Sequence, residues 1–243
     1  MRIYTFGDGF ASGHIWPEWP QLLDAITDSV ENYGHVGAGN EFIFNCAVKA
    51  ALKANSNDIF LVQWAKSDRF DKIIEDSYSE SVKQADSVYS DIDKTVFDQT
   101  WWSSSASDQE IIKDYHRLVG PIQSQNRSKL FAIALSYTLK FLGIKHLYFS
   151  TYPIDFLDED TELLPWIDTD GMESYSQKFS NRGNEVQPTP IVHLNYLKEN
   201  ILPRLNIELD QKIVDLVENV NFVAYDPDRD EKWNDLREKI SNV

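Results

Sequence analysis

The chain has 243 residues, 42% hydrophobic and 26% charged, with 39 Asp and Glu against 23 Lys and Arg for a net charge of −16. This composition excludes wholesale disorder, and its acidity argues against a general nucleic-acid or anionic-membrane surface, both of which need a basic face. A lone Cys46 removes any intramolecular disulfide framework, and no apolar run approaches the roughly 20 residues of a membrane-crossing helix. The N-terminus lacks the basic, apolar and small-residue succession of a signal peptide, so a cytoplasmic or virion-borne soluble protein is expected.

The elements read in chain order as alternating strands and helices. Ile3-Tyr4-Thr5-Phe6 forms a short apolar strand, and Trp16-Pro17-Glu18-Trp19-Pro20 opens a helix whose prolines suit its first turn. Residues 32–40 are a glycine-rich loop. Residues 41–55 then show helical spacing, with Phe42, Cys46, Val48, Ala51 and Leu52 as the apolar set, and Cys46 reads as a buried structural thiol. Asp58-Ile59-Phe60-Leu61-Val62-Gln63-Trp64 is a second strand, and its continuous apolar core points to a parallel sheet covered on both faces.

From about residue 68 to 107 the periodicity dissolves into Ser, Asp, Lys and aromatics, including Tyr78, Tyr89, Phe97 and the pair Trp101-Trp102. This stretch is expected to be an insertion over the carboxyl edge of the sheet. A long helix over 108–142, interrupted near Gly120-Pro121, leads to a strand at Lys145-His146-Leu147-Tyr148-Phe149-Ser150-Thr151. A long polar loop spans 152–187, and helices follow near 189–202, 210–217 and 230–240. The expected fold is a single domain over 1–243: a three-layer α/β/α sandwich with a mostly parallel sheet of about five strands.

Four separated blocks carry chemistry-bearing positions. Gly7-Asp8-Gly9-Phe10-Ala11-Ser12-Gly13 follows the first strand, and Asn32 to Asn40 is the glycine loop containing Gly37. Gln63-Trp64-Ala65-Lys66-Ser67-Asp68-Arg69-Phe70 follows the second strand recognised, and Asn184-Glu185-Val186-Gln187-Pro188-Thr189-Pro190-Ile191-Val192-His193 leads into a helix. Their order and content resemble the SGNH/GDSL hydrolases, with the third block closer to a Trp-Thr-Ser-x-x-Arg variant of phage and marine bacterial relatives. The resemblance implies a flavodoxin-like fold with a nucleophilic serine in the first block, oxyanion donors in the second and third, and an Asp-x-x-His pair in the fourth. This chain carries Gly9 at the nucleophile position and Ser67 at that of the asparagine donor. Asn184 stands for the orienting aspartate and Gln187 for the basic histidine.

Glycine cannot attack a carbonyl, a glutamine amide has no useful proton affinity near neutral pH, and asparagine cannot stabilise an imidazolium. The resemblance therefore implies a pseudoenzyme, with Asp8, Gly37, Asn40, Trp64 and Arg69 left to contact a ligand in the inherited pocket. The ligand is expected to be a small molecule, a glycan or a protein partner, with no cofactor. The alternative is an esterase or carbohydrate deacetylase with relocated residues among Asp8, Ser12, His14 and His35.

Each sharp reading has a bland counterpart. Asp8 also suits a cap for the turn that follows it, and Arg69 suits either an anionic ligand or a salt bridge to Asp8 or Asp68. Trp101-Trp102 could stack a sugar or anchor a loop. His193 matches a structural position, no metal-ligand spacing is present, and the acidic residues between Asp155 and Asp170 read as a solvated loop.

Overall fold

The protein is described by a computed structural model covering residues 1–12, 17–74, 95–96, 99–104, 110–161, 163–178, 188–220 and 227–243. Its strands in chain order are Ile3–Phe6 (β1), Val30–Asn32 (β2), Ile59–Trp64 (β3), Phe70–Ile74 (β4), Thr95–Val96 (β5), Gln99–Ser104 (β6) and Lys145–Ser150 (β7). The helices are Trp19–Thr27 (α1), Asn40–Ala51 (α2), Glu110–Phe141 (α3), Gly171–Gln177 (α4), Pro190–Tyr196 (α5), Leu202–Leu205 (α6), Gln211–Asn219 (α7) and Arg229–Ser241 (α8).

Four strands make a parallel sheet in the order β2-β1-β3-β7, the arrangement of a flavodoxin-like α/β/α sandwich. About five strands were expected. Four are formed among the described residues, and Trp166 adds a single parallel bridge to Tyr148. β2 carries only Val30-Glu31-Asn32, too short to give a periodic signal, and its pairing with β1 defines it.

Strand alternation divides the core in two. Ile3, Ile59, Leu61 and Phe149 face a layer containing α1, α5, α7 and α8, where Trp19, Leu22, Tyr196 and Val214 are buried. Tyr4, Phe6, Phe60, Val62, Trp64 and Tyr148 face α2 and α3, packing on Phe42, Cys46, Leu135 and Leu139. Cys46 is buried there and unbridged.

Gly120, at φ 70° and ψ 161°, breaks α3 before Pro121, as their sequence suggested. A π turn over Leu197–Ile201 separates α5 from α6. Pro203 accounts for it, because its ring would clash with the Glu199 carbonyl in a regular α-helix. Among the described residues no helix is long and apolar enough to cross a membrane.

The insertion contains a small antiparallel sheet in the order β4-β6-β5, pairing Lys72 with Trp102 and Ile73 with Trp101. Asp71 of β4 ties this sheet to the body. Its buried carboxylate accepts the Gly39 N–H at 2.8 Å and the Phe42 N–H at 3.0 Å, so it caps α2 from outside that helix. A Cβ on Gly39 would stand 2.5 Å from Asp71 Oδ2, so only glycine admits the cap. Tyr78, Tyr89 and Phe97 lie outside the described residues.

Candidate functional site

The chain leaves β1 for β2 on one side and returns across β1 to reach β3 on the other. In open α/β sheets, ligands bind outside the strand carboxyl ends at such a reversal. The turns after β1, β2, β3 and β7 converge there.

After β1, Gly9–Ala11 forms a single 3-10 turn with Asp8 as its cap. The residue at the expected nucleophile position is therefore the first residue of a buried turn, with no side chain to present. Asp8 is fully buried. Its Oδ1 accepts the Phe10 N–H at 3.1 Å and the Thr151 hydroxyl at 2.8 Å. Arg69 Nη2 lies 3.1 Å from Asp8 Oδ2, yet Oδ2 has no aligned hydrogen-bond donor. The Asp8–Arg69 contact is thus coulombic, and it spans the ends of β1 and β3. Asp8 caps the turn, and Arg69 is its ion-pair partner.

Arg69 also approaches the Ala38 carbonyl, with Nη1 at 3.5 Å. Beyond it stands Tyr152. Burial pushes the Tyr152 hydroxyl above its ordinary range and the charge of Asp8 adds to this, while Arg69 opposes both. Lys66 Nζ sits 4.4 Å from the centre of the Tyr152 ring, and Phe10 packs on the same ring at 6.0 Å.

The loop after β2 lies against this turn. Asn32 Nδ2 donates to the Ala11 carbonyl at 2.8 Å, and the His35 N–H donates to the Gly7 carbonyl at 3.0 Å. A Cβ on Gly34 would meet the Ala11 carbonyl oxygen at 2.2 Å, so this approach requires glycine. Gly37 takes the left-handed conformation at φ 76° in the turn that follows. His35 is nearly buried, with Nδ1 2.7 Å from the Val36 carbonyl and its ring against Phe42.

Two expected ligand contacts sit inside the body. Asn40 clasps both backbone groups of Ala65, donating to its carbonyl at 3.1 Å and accepting its N–H at 2.9 Å, and it also donates to Ser128 Oγ. That amide joins the exit of β3 to the start of α2 and to α3. Trp64 is fully buried, edge-on to Tyr148 at 5.4 Å.

Ser67 donates to Asp155 Oδ2 at 2.6 Å, fastening the turn after β3 to the loop after β7. Ser12 Oγ donates to the Gly9 carbonyl at 3.1 Å. His14, Asn184 and Gln187 lie outside the described residues, as does Trp16.

The sequence reading gave no role to Thr151 or His146 and took Asp155 only as part of a solvated acidic loop. Thr151 stands one residue past β7, where the switch-point geometry directs side chains to the crevice, and that position was its available signal. His146, near the amino end of β7, has Nε2 3.0 Å from Ser136 Oγ and Nδ1 3.1 Å from the Ile144 carbonyl. This Ser–His pair is buried, and desolvation holds the imidazole below its ordinary pKa. At about 3.3 Å per residue it lies roughly 16 Å along the strand from Thr151, at the opposite end of the sheet.

His193 is fully buried beside Phe10, with neither ring nitrogen hydrogen-bonded, and desolvation lowers its pKa to about 3. It is a neutral core residue.

In the loop after β7, the Asp168 carboxylate accepts the Asp170 and Gly171 N–H groups and the Tyr196 hydroxyl. Lys129 bonds Asp158 and Asp160. Among the described residues no group of three or more His, Cys, Asp or Glu side chains is arranged to hold a metal. In comparisons with known proteins, no family model matches the chain and no curated protein gives a significant match.

Proposed function

We propose that this chain is a catalytically silent, SGNH-hydrolase-like protein that binds its ligand at the carboxyl ends of β1, β3 and β7. The observation that carries the proposal is the state of Asp8. Its carboxylate is fully buried and engaged by the Phe10 amide, the Thr151 hydroxyl and Arg69, with no imidazole contact among the described residues. A carboxylate held this way can neither attack nor orient a base, and glycine stands beside it where a nucleophile would have to be.

The ion pair leaves the crevice nearly charge-compensated. A neutral polyhydroxylated ligand such as a saccharide suits it, because hydroxyls accept from the partly exposed Arg69 without adding charge. The partly exposed Tyr152 adds aromatic surface for a sugar ring. A role in a virion is part of the same proposal and rests on the likeness of the third block.

The test is turnover of p-nitrophenyl acetate and of acetylated sugars by the purified chain, alongside saccharide binding by calorimetry. The expected result is no hydrolysis above the uncatalysed rate, with saccharide binding weakened by Tyr152→Ala. Saturable turnover abolished by Asp8→Ala would overturn the reading.

One observation favours a second reading, an ester hydrolase with relocated residues: the Ser67 hydroxyl is bonded directly to Asp155. Among the described residues that pair has no imidazole to complete a serine triad. Turnover lost in Ser67→Ala and kept in Asp8→Ala would favour it.

A further inference from the structure

The C-terminal half of α3 places its residues unusually. The face turned to the body carries Ser124, Ser128, Ala132, Leu135, Ser136 and Leu139, three of them serines. The outer face carries Leu130, Ala134, Tyr137 and Phe141, all exposed. Their spacing of four, three and four residues aligns them in one stripe, the seam pattern of helices that pack on other helices. Phe141 is 90% exposed, Tyr137 69% and Leu130 63%, with Leu142 beside them at 38%. The sheet-facing side already has its neighbours, so burial in the fold does not explain these large apolar residues.

At about 200 Å² for each aromatic side chain, the stripe presents on the order of 500 Å². This lies near the upper end of the largest apolar patch on a typical monomer, about 300–600 Å², a size often associated with function. Two such faces together would remove about 1,000 Å² from water, the threshold for a specific interface.

Charge indicates what covers the stripe. From residue 115 to 154 there is no Asp or Glu, while Arg117, Arg127, Lys129, Lys140 and Lys145 fall within that span. In a chain of net charge −16, every carboxylate therefore lies outside it. Arg127 pairs with Glu41, Lys129 with Asp158 and Asp160, and Lys140 lies over the Tyr137 ring at 5.9 Å, so the face carries little net charge. The carboxylates at its edge, Glu41, Asp158 and Asp160, are each paired with a cation of α3, so another copy can approach without strong repulsion.

We propose that the outer face of α3 is a self-association surface on which a second copy of this chain docks through the same residues, related by a two-fold axis. The self-complementary character follows from the symmetry: an apolar stripe of little net charge meets itself without strong repulsion. The crevice at the strand carboxyl ends takes no part in the contact.

The experiment is sedimentation velocity on the full chain from about 1 to 100 μM, the range that reports micromolar dissociation constants. Wild type is compared with Tyr137→Glu/Phe141→Glu and with the conservative Phe141→Leu. The expected result is a dimer of 28.1 kDa chains in wild type and in Phe141→Leu, and a monomer in the double variant. The double variant should weaken association by at least about 30-fold, the scale set by buried aromatic anchors. Its far-ultraviolet dichroism, and its melting temperature at concentrations where both chains are monomeric, should match wild type, because both positions are exposed. A wild-type chain that stays monomeric at the highest concentration, or a dimer that survives the double substitution, overturns the proposal. So does binding of the wild-type monomer to neutral lipid vesicles that depends on Tyr137 and Phe141, which would assign the stripe to a lipid surface instead.

Discussion

Replacing Arg69 with methionine keeps most of the side-chain volume and removes the charge that faces Asp8. Asp8 is fully buried and the Arg69 side chain is only 12% exposed, so solvent cannot substitute for the lost guanidinium. Removing one partner of a buried pair costs about 3–5 kcal/mol, because the other charge stays behind uncompensated. Asp8 keeps its bonds from Phe10 and Thr151, and Oδ2 had no aligned donor to lose, so the lower end applies, about 3 kcal/mol. For a chain of this size that corresponds to a fall in melting temperature of about 9 °C. The assay is urea unfolding of wild type, Arg69→Met, Asp8→Asn and the double variant at pH 7. Arg69→Met should cost about 3 kcal/mol, and the double variant should recover at least about 1.5 kcal/mol of the summed single losses, since the two groups act as one unit. A cost below about 1 kcal/mol with additive singles would refute the claim that Arg69 serves to neutralise Asp8 across the sheet.

Two further outcomes follow from buried polar groups. His193 has a folded-state pKa near 3, below the unfolded value of about 6.5, so the unfolded chain binds the extra proton. Its contribution is neutral above about pH 6.5 and destabilising as pH falls toward 3, by about 1.4 kcal/mol per pH unit. Between pH 6.5 and 5, wild type should therefore lose about 2 kcal/mol more than His193→Leu in urea titrations; equal losses would contradict the burial. Asp71→Ala removes two hydrogen bonds to the buried start of α2 and should cost about 2–3 kcal/mol by thermal unfolding, whereas a cost under about 0.5 kcal/mol would show that the cap is dispensable.

The layers of the fold were legible because the strands announce themselves. Residues 58–64 form an uninterrupted apolar run, and residues 145–151 follow a Gly143 turn, so β3 and β7 appear where the sequence reading placed them. β2 was invisible because three residues cannot establish a period, and the small sheet of the insertion was missed because its β4–β6 pairings join residues about thirty positions apart and β5 has only two residues. At the site, the glycines and the Asp8 cap could be read from local chemistry. The roles of Asn40, Thr151 and Asp71 could not. Each depends on a partner from another element, Ala65, Asp8 and the α2 amides respectively, and only the folded chain brings them together. Trp64 shows the same limit: its place in the third block put it among the expected ligand contacts, but strand alternation turns it into the layer between sheet and helices.

The central proposal is that the crevice holds no competent nucleophile. A fluorophosphonate probe, which bonds covalently to activated serines, tests this directly when read by intact-protein mass spectrometry. The account predicts an unmodified 28.1 kDa mass after prolonged incubation with excess probe. Stoichiometric single-site labelling that peptide mapping assigns to Ser12 or Ser67 would contradict it.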